Sequence, residues 1–256
     1  MSRTNDTPPL IQLSDVPAAL GLLSRLPIRV DVAHATKRSA LAAWAYPVAG
    51  LVIALIAGCV AQVTLSLGLP SAIVAGLTLT TLVITTGALH EDGFADSADG
   101  LWGGWDTERR LDIMKDSHIG AYGVIALVIG LGLRWQALTE LAGTSLWVVL
   151  IVVAMISRAA MVSLMCLLPN ARTTGLSHSV GQPSIRTATI AWFIATIVSL
   201  VLLQTTSVLL VFMAMATTAL CAKIAMVKIG GQTGDILGAT QQLTETALLI
   251  ALATVL

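Results

Sequence analysis

Apolar runs long enough to cross a lipid bilayer recur along this 256-residue chain, at about 41–67, 71–89, 119–138, 146–168, 188–203, 207–227 and 243–256. A hydrocarbon core of ~30 Å needs ~20 mostly apolar helical residues. Inside it the backbone must satisfy its own hydrogen bonds, which leaves helices as the simplest solution. The expected fold is therefore all-α, a polytopic transmembrane helix bundle of about seven spans. Two of the runs, 188–203 and 243–256, are short for that thickness, so six is the fallback. A hydrophobic content of 56% and a mean hydropathy of +0.87 agree, being too apolar for one soluble domain.

Before the first run, residues 1–13 read as disordered, and nothing there has the basic-then-apolar pattern of a cleaved signal peptide, so the start is expected to be retained. Ser14 is placed to cap a short helix with Asp15 and Pro17 in its first turn. Leu20, Leu22, Leu23 and Leu26 make that helix apolar, and Arg25, Pro27 and Arg29 stop it after about three turns. Too short to span, it suits the membrane interface or the underside of the bundle. With no internal repeat or low-complexity linker, residues 1–256 read as a single integral membrane domain. Cys59, Cys166 and Cys221 lie singly in apolar runs and read as small buried packing residues.

The basic residues set the orientation, since short loops rich in Lys and Arg stay in the cytoplasm. With a cytoplasmic N-terminus, the inner segments hold Arg3, Arg25, Arg29, Lys37, Arg38, Arg109, Arg110, Lys115, Arg172, Arg186, Lys223 and Lys228. The outer turns hold Arg134 alone, and Arg158 falls within a span. The polar segments 90–118, 169–187 and 228–242 all reach the cytoplasmic side, so the active site is expected to face the cytoplasm from a bacterial inner membrane. A formal net charge of zero gives no case for nucleic-acid binding.

The acids concentrate in one place. Between His90 and Gly123 lie Glu91, Asp92, Asp96, Asp99, Asp106, Glu108, Asp112 and Asp116, eight of the fourteen acids in a chain that is 11% charged. In helical form Asp92, Asp96 and Asp99 share a face, and Asp112 and Asp116 repeat the four-residue step. Like charges ~6 Å apart repel by about 1 to 3 kcal/mol at an effective dielectric of ~20 to 40. A solvated loop could also carry such acids. Their spacing and the interleaved glycines favour a cation site, and oxygen ligands favour a hard ion such as Mg2+. Arg109, Arg110 and Lys115 either balance charge or hold phosphate oxygens. His90 and His118 are candidate general bases, though a histidine at a helix end is often structural. Loop 169–187 offers Arg172 and His178 and is either a substrate lid or a connector. The Gly-rich loop 228–242 lacks the phosphate-loop signature, yet its single acid, Asp235, is a candidate metal or substrate contact. Arg158, charged within a span, must meet a partner or a polar cavity.

Three segments together, H-E-D-G-F-A-D-S-A-D-G from His90, I-M-K-D-S-H-I-G-A-Y-G from Ile113 and G-G-Q-T-G-D-I-L-G-A from Gly230, resemble the cobalamin synthase family of adenosylcobinamide-GDP ribazoletransferases. L-L-S-R-L-P at Leu22–Pro27 is similar to that family's N-terminal element, so the resemblance runs in order over nearly the whole chain. It implies an Mg-dependent transferase that joins adenosylcobinamide-GDP to α-ribazole or its 5′-phosphate, releasing GMP in the last assembly step of cobalamin biosynthesis. It further implies that Asp92, Asp96, Asp99 and Asp116 bind Mg2+, and that one of these carboxylates or His90 accepts the proton of the attacking hydroxyl. Lys115 and Arg172 would hold phosphate oxygens, with Arg109 and Arg110 also at the substrate and Asp235 closing the site. The expected partners are these two substrates and the lipid bilayer, and the sequence is compatible with a homo-oligomer.

Three other classes compete. CDP-alcohol phosphotransferases use a D-G-x-x-A-R signature, which Ala95 and Asp96 interrupt after Gly93-Phe94. A membrane prenyltransferase would pair Asp-rich loops around Mg-diphosphate. A divalent-cation transporter would place acids inside its spans, whereas almost all the acids here read as loop residues.

Overall fold

The computed structural model describes residues 9–256, which form helices joined by short turns. Residues 1–8 of the start expected to be disordered lie outside the described residues; of the remainder, Pro9 and Leu10 present their carbonyls to the Arg38 guanidinium. The first helix, α1 (Asp15–Leu23), is tied beneath the bundle by Asp15, which is fully buried and takes bonds from Arg38 Nε at 2.7 Å and Trp44 Nε1 at 2.7 Å. Ser14 does not cap it. The Ser14 side chain lies 2.8 Å from His34 Nε2, and Asp15 itself accepts from the backbone of Gln12.

A short helix α2 (Val32–Arg38) and a 3-10 turn over Ser39–Ala45 feed α3 (Tyr46–Ser66), which forms a hairpin with α4 (Ser71–Thr86). There the chain breaks. Gly87 at φ +66 and Ala88 at φ +57 turn it by 87° into α5 (Leu89–Gly103). After α6 (Thr107–Ile113) come α7 (Ala121–Glu140), α8 (Leu146–Leu167), the short α9 (Leu176–Val180), α10 (Ile185–Leu203), α11 (Thr206–Ile229) and α12 (Gly234–Val255). Among the described residues six helices are long and apolar enough to cross a membrane, and α4 with α5 makes a seventh if the bent pair counts as one crossing.

Two expected boundaries move. The run read as 243–256 belongs to α12, whose start is fixed by the Thr233 side chain accepting from Ile236 N at 3.3 Å. The Gly-rich loop 228–242 thus shrinks to the turn between α11 and α12, because buried Thr240, Gln241 and Gln242 lower the hydropathy of a segment that is nonetheless helical. The acidic stretch is likewise helical, as α5 and α6. Cys221 is buried as expected, but Cys59 is exposed on α3.

The centre of the bundle is α8, packed against α3, α10, α11 and α12. On α3 the buried residues Ala49, Ile53, Ala57 and Ala61 repeat every four positions, a stripe of mostly small side chains suited to close packing in lipid. Inside the bundle three elements bring charge together. Arg134 of α7 bonds Glu91 of α5 at 3.1 Å, Gln242 of α12 at 2.5 Å and Glu245 of α12, all buried. Arg134 therefore does not sit in an outer turn; its charge is neutralised inside the bundle, which leaves the outer turns without Lys or Arg. Arg158 on α8 is also buried and donates to Ala154 O of its own helix at 3.0 Å.

Candidate active site

One end of the bundle encloses a cavity of about 230 Å³. Its walls come from Leu22 and Leu23 of α1, Tyr46 at the start of α3, His90 and Asp92 of α5, Met161 and Met165 of α8, the segment around Arg172 and His178, and Thr233 and Asp235 at the start of α12. Two glycines set the geometry. A Cβ on Gly93 would lie 3.0 Å from the Asp235 backbone, and one on Gly238 would lie 3.1 Å from His90 O. The D-G of α5 and the G-D-I-L-G of α12 thus let two backbones cross in contact, which sets Asp92 and Asp235 at the same opening.

Asp92 is exposed into the cavity, and Asp96, one turn further, is half-buried. The charges acting on Asp96 are those of Asp92, Asp235 and Asp99, opposed by Arg172. Arg172 reaches Asp235 Oδ2 at 3.2 Å and donates to Leu111 O at 3.1 Å, with its buried Nε left without a partner. Thr233 donates to the same Asp235 oxygen at 3.1 Å. His90 lines the cavity, is 1% exposed, and has no partner for Nε2. The segments bearing Arg172 and Asp235 are fastened to each other: Ala171 N donates to Gln232 O at 2.9 Å, Gln232 N donates to Pro169 O at 2.8 Å, and Ser177 donates to the Gln232 side chain at 2.5 Å.

Other candidates lie elsewhere. Asp99 is buried, and its two oxygens accept from Gly120 N at 2.7 Å and Gly123 N at 2.9 Å. It caps the start of α7 from a neighbouring helix, each oxygen accepting from one free N–H group. Asp116 is exposed beyond α6, where the adjacent His118, 2.6 Å away, holds its carboxyl below the usual range. Lys115 and Arg109 are exposed as well. Arg110 is committed to structure, donating to the carbonyls of Gly104, Trp105 and Lys228. Of the four acids expected to share Mg2+, Asp92 lies at the opening with Asp235 and Asp96 follows one turn along α5, while Asp99 is held at the start of α7 and Asp116 lies exposed beyond α6. Among the described residues no three His, Cys, Asp or Glu side chains form a group that could hold a metal ion. That still fits Mg2+, which commonly takes one or two carboxylates together with water and substrate phosphates rather than an all-protein cage.

Tyr46, Asn170, Ser177, Gln232 and Thr233 also line the cavity, and nothing in the sequence alone singles them out as site residues. Their polar side chains carry no charge and no spacing; the one available hint was that Gln232 and Thr233 flank the glycines before Asp235.

The family model described as cobalamin-5-phosphate synthase matches residues 15–253. A protein of Bradyrhizobium diazoefficiens named adenosylcobinamide-GDP ribazoletransferase is 42% identical over 246 residues, covering 94% of both chains. A protein of the same name from Mesorhizobium japonicum is 42% identical, covering 93% of this chain and 92% of its own. Another, from Brucella anthropi, is 37% identical over 94% of this chain and 96% of its own. No solved structure matches the chain. A match from α1 almost to the end of α12, over the helices that build the cavity, means that this chain belongs to the cobalamin-5-phosphate synthase family.

Proposed function

We infer that this chain is an adenosylcobinamide-GDP ribazoletransferase, carrying out the final assembly step of cobalamin at one face of a bacterial inner membrane. The observation that carries the mechanism is the glycine-mediated crossing of α5 and α12, which gathers Asp92, Asp235, Arg172 and His90 around one cavity, with Asp96 one turn along α5 where the charges of Asp92, Asp235 and Arg172 act on it. In the reaction a hydroxyl of α-ribazole, or of its 5′-phosphate, attacks the phosphorus bearing the cobinamide arm. A new P–O bond forms, the bond from that phosphorus to the GMP oxygen breaks, and GMP leaves.

Asp92 and Asp96 would hold Mg2+ together with water and substrate phosphates, and Asp235 would face the substrate from the opposite side. When bound, the ion neutralises the pyrophosphate and stabilises charge on the transferring phosphoryl group. Arg172 turns its fork toward phosphate oxygens while Asp235 and Leu111 O fix its orientation. The unpartnered Nε2 of His90 accepts the proton of the attacking hydroxyl, a role that needs a lone pair facing the cavity. CDP-alcohol transfer, prenyl transfer and cation transport have no such support from the relatives.

The cytoplasmic orientation rests on the basic residues, all of which lie outside the outer turns once Arg134 is placed in the bundle interior. One assay tests reaction and orientation together: sealed inverted and right-side-out membrane vesicles supplied with adenosylcobinamide-GDP and α-ribazole, with and without Mg2+. GMP and the joined corrinoid are expected from inverted vesicles with Mg2+ only. Product without Mg2+ removes the metal, product from right-side-out vesicles reverses the orientation, and no product from either, nor from the folded protein in detergent, overturns the activity.

A further inference from the structure

The lining of the active-site cavity divides by element. Its carboxylates and its guanidinium, Asp92, Asp235 and Arg172, come from α5, the start of α12 and the segment after α8. The wall built by α1, α3 and α8 is Leu22, Leu23, Tyr46, Met161 and Met165, and α3 packs against both of the other helices. Met161 and Met165 are buried one turn apart on α8 and share a face. One turn along α3 from Tyr46, a Cβ on Gly50 would lie 2.5 Å from Ala154 O, so α3 and α8 meet backbone to backbone there and hold the wall in place. In this wall Tyr46 is the one side-chain hydrogen-bond donor. It is 3% exposed, and no described residue makes a hydrogen bond to its hydroxyl. A buried hydroxyl without a partner is costly, and a bound group that accepts from it removes that cost.

The two substrates offer different groups to such a wall. Adenosylcobinamide-GDP carries a corrin macrocycle, too large for a cavity of about 230 Å³, and a guanine, whose edges hold several donors and acceptors that one hydroxyl does not satisfy. α-Ribazole is a ribose bearing a benzimidazole, an apolar bicyclic ring with one free nitrogen that accepts and no N–H that donates. Its requirements are an apolar slot and a single donor. Thioethers suit the ring faces, being polarizable and adaptable in shape.

We propose that the wall of α1, α3 and α8 binds the aromatic base of α-ribazole, with the Tyr46 hydroxyl donating to the free ring nitrogen and Met161 and Met165 against the ring. The ribose then lies toward Asp92, Arg172 and Asp235, where its hydroxyl has to meet the phosphorus. Tyr46 takes no part in making or breaking a bond. It determines specificity, because its hydroxyl separates a base with an accepting nitrogen from one of the same shape without it. The base site rests on the transferase reading above, since that reaction is what brings a benzimidazole to the cavity.

The test follows GMP release by the full chain in neutral detergent with adenosylcobinamide-GDP and one of two acceptors, α-ribazole or its indole analogue, in which C–H replaces the free ring nitrogen. The parent is expected to favour α-ribazole by about ten-fold in kcat/KM, the effect of leaving one buried donor unpaired. Tyr46→Phe is expected to lower kcat/KM for α-ribazole by about that factor and so erase the preference. Met161→Ala is expected to lower kcat/KM for both acceptors alike. Equal use of the two acceptors by the parent overturns the base site, and this comparison decides the outcome if Tyr46→Phe unfolds. So does a Tyr46→Phe variant that keeps the preference or raises the KM for adenosylcobinamide-GDP instead, or a Met161→Ala variant that changes neither acceptor. Turnover without discrimination leaves the transferase reading intact, whereas a folded parent that turns over neither acceptor overturns that reading and the base site together.

Discussion

Asp96 and Asp116 look alike in the sequence, each four residues past another aspartate, and the structure separates them. Asp96 lies half-buried where three other carboxylates act on it, whereas Asp116 is exposed and satisfied by His118. If Asp96 helps hold Mg2+ at the pyrophosphate, Asp96→Asn should lower kcat by ~100-fold or more, several kcal/mol of transition-state stabilisation. Asp116→Asn should stay within about two-fold of the parent, since exposed pairs contribute little. Titrating turnover against Mg2+ for both variants checks this, and equal effects would return Asp116 to the metal set. Asp235 and Arg172 were legible as lone charges in glycine-rich segments. Their pairing was not, because it depends on where the ends of α8 and α12 meet in space.

Among the helices, α5 shows how far a pattern can be read. Helical spacing put Asp92, Asp96 and Asp99 on one face and suggested three equivalent ligands. The difference comes from α7, whose first N–H groups need acceptors and find them in Asp99. Only glycine allows this approach: a Cβ at Gly123 would come within 2.4 Å of Asp99 Oδ2, and one at Gly120 within 2.5 Å of Oδ1. Asp99→Ala should therefore cost roughly 1 to 2 kcal/mol by loss of the cap and its charge at the helix start. Gly123→Ala should cost at least as much. Thermal unfolding in detergent should show both midpoints lowered, and an unchanged midpoint for Asp99→Ala would show that the cap is dispensable. The spans themselves were readable from hydropathy except in α12, where buried polar side chains disguise the first half of a crossing helix.

For the bundle as a whole, the least legible feature was the charge at its centre. Arg134 sits near polar Gln136 and Glu140 in sequence and so reads as a loop residue, yet its partners are 43 and 111 positions away. Removing one member of such a buried set leaves the others uncompensated, so Arg134→Met should destabilise by ~3 to 5 kcal/mol. Replacing Arg134 and Arg158 together with Glu91 and Glu245 by apolar residues should recover most of that loss. Denaturant unfolding of the purified variants measures both, and a quadruple variant as unstable as the single one would contradict the account.

The same set dictates an order of events while the chain is being made. Translation runs from the amino end, so α7 and α8 are delivered to the membrane with Arg134 and Arg158 before Glu245 exists. Glu91 is already present and can neutralise one guanidinium; the second acid arrives with α12. Until then the nascent bundle carries surplus positive charge in a medium that solvates it poorly. It is therefore α12, made after them, that releases the earlier helices from dependence on the insertion machinery.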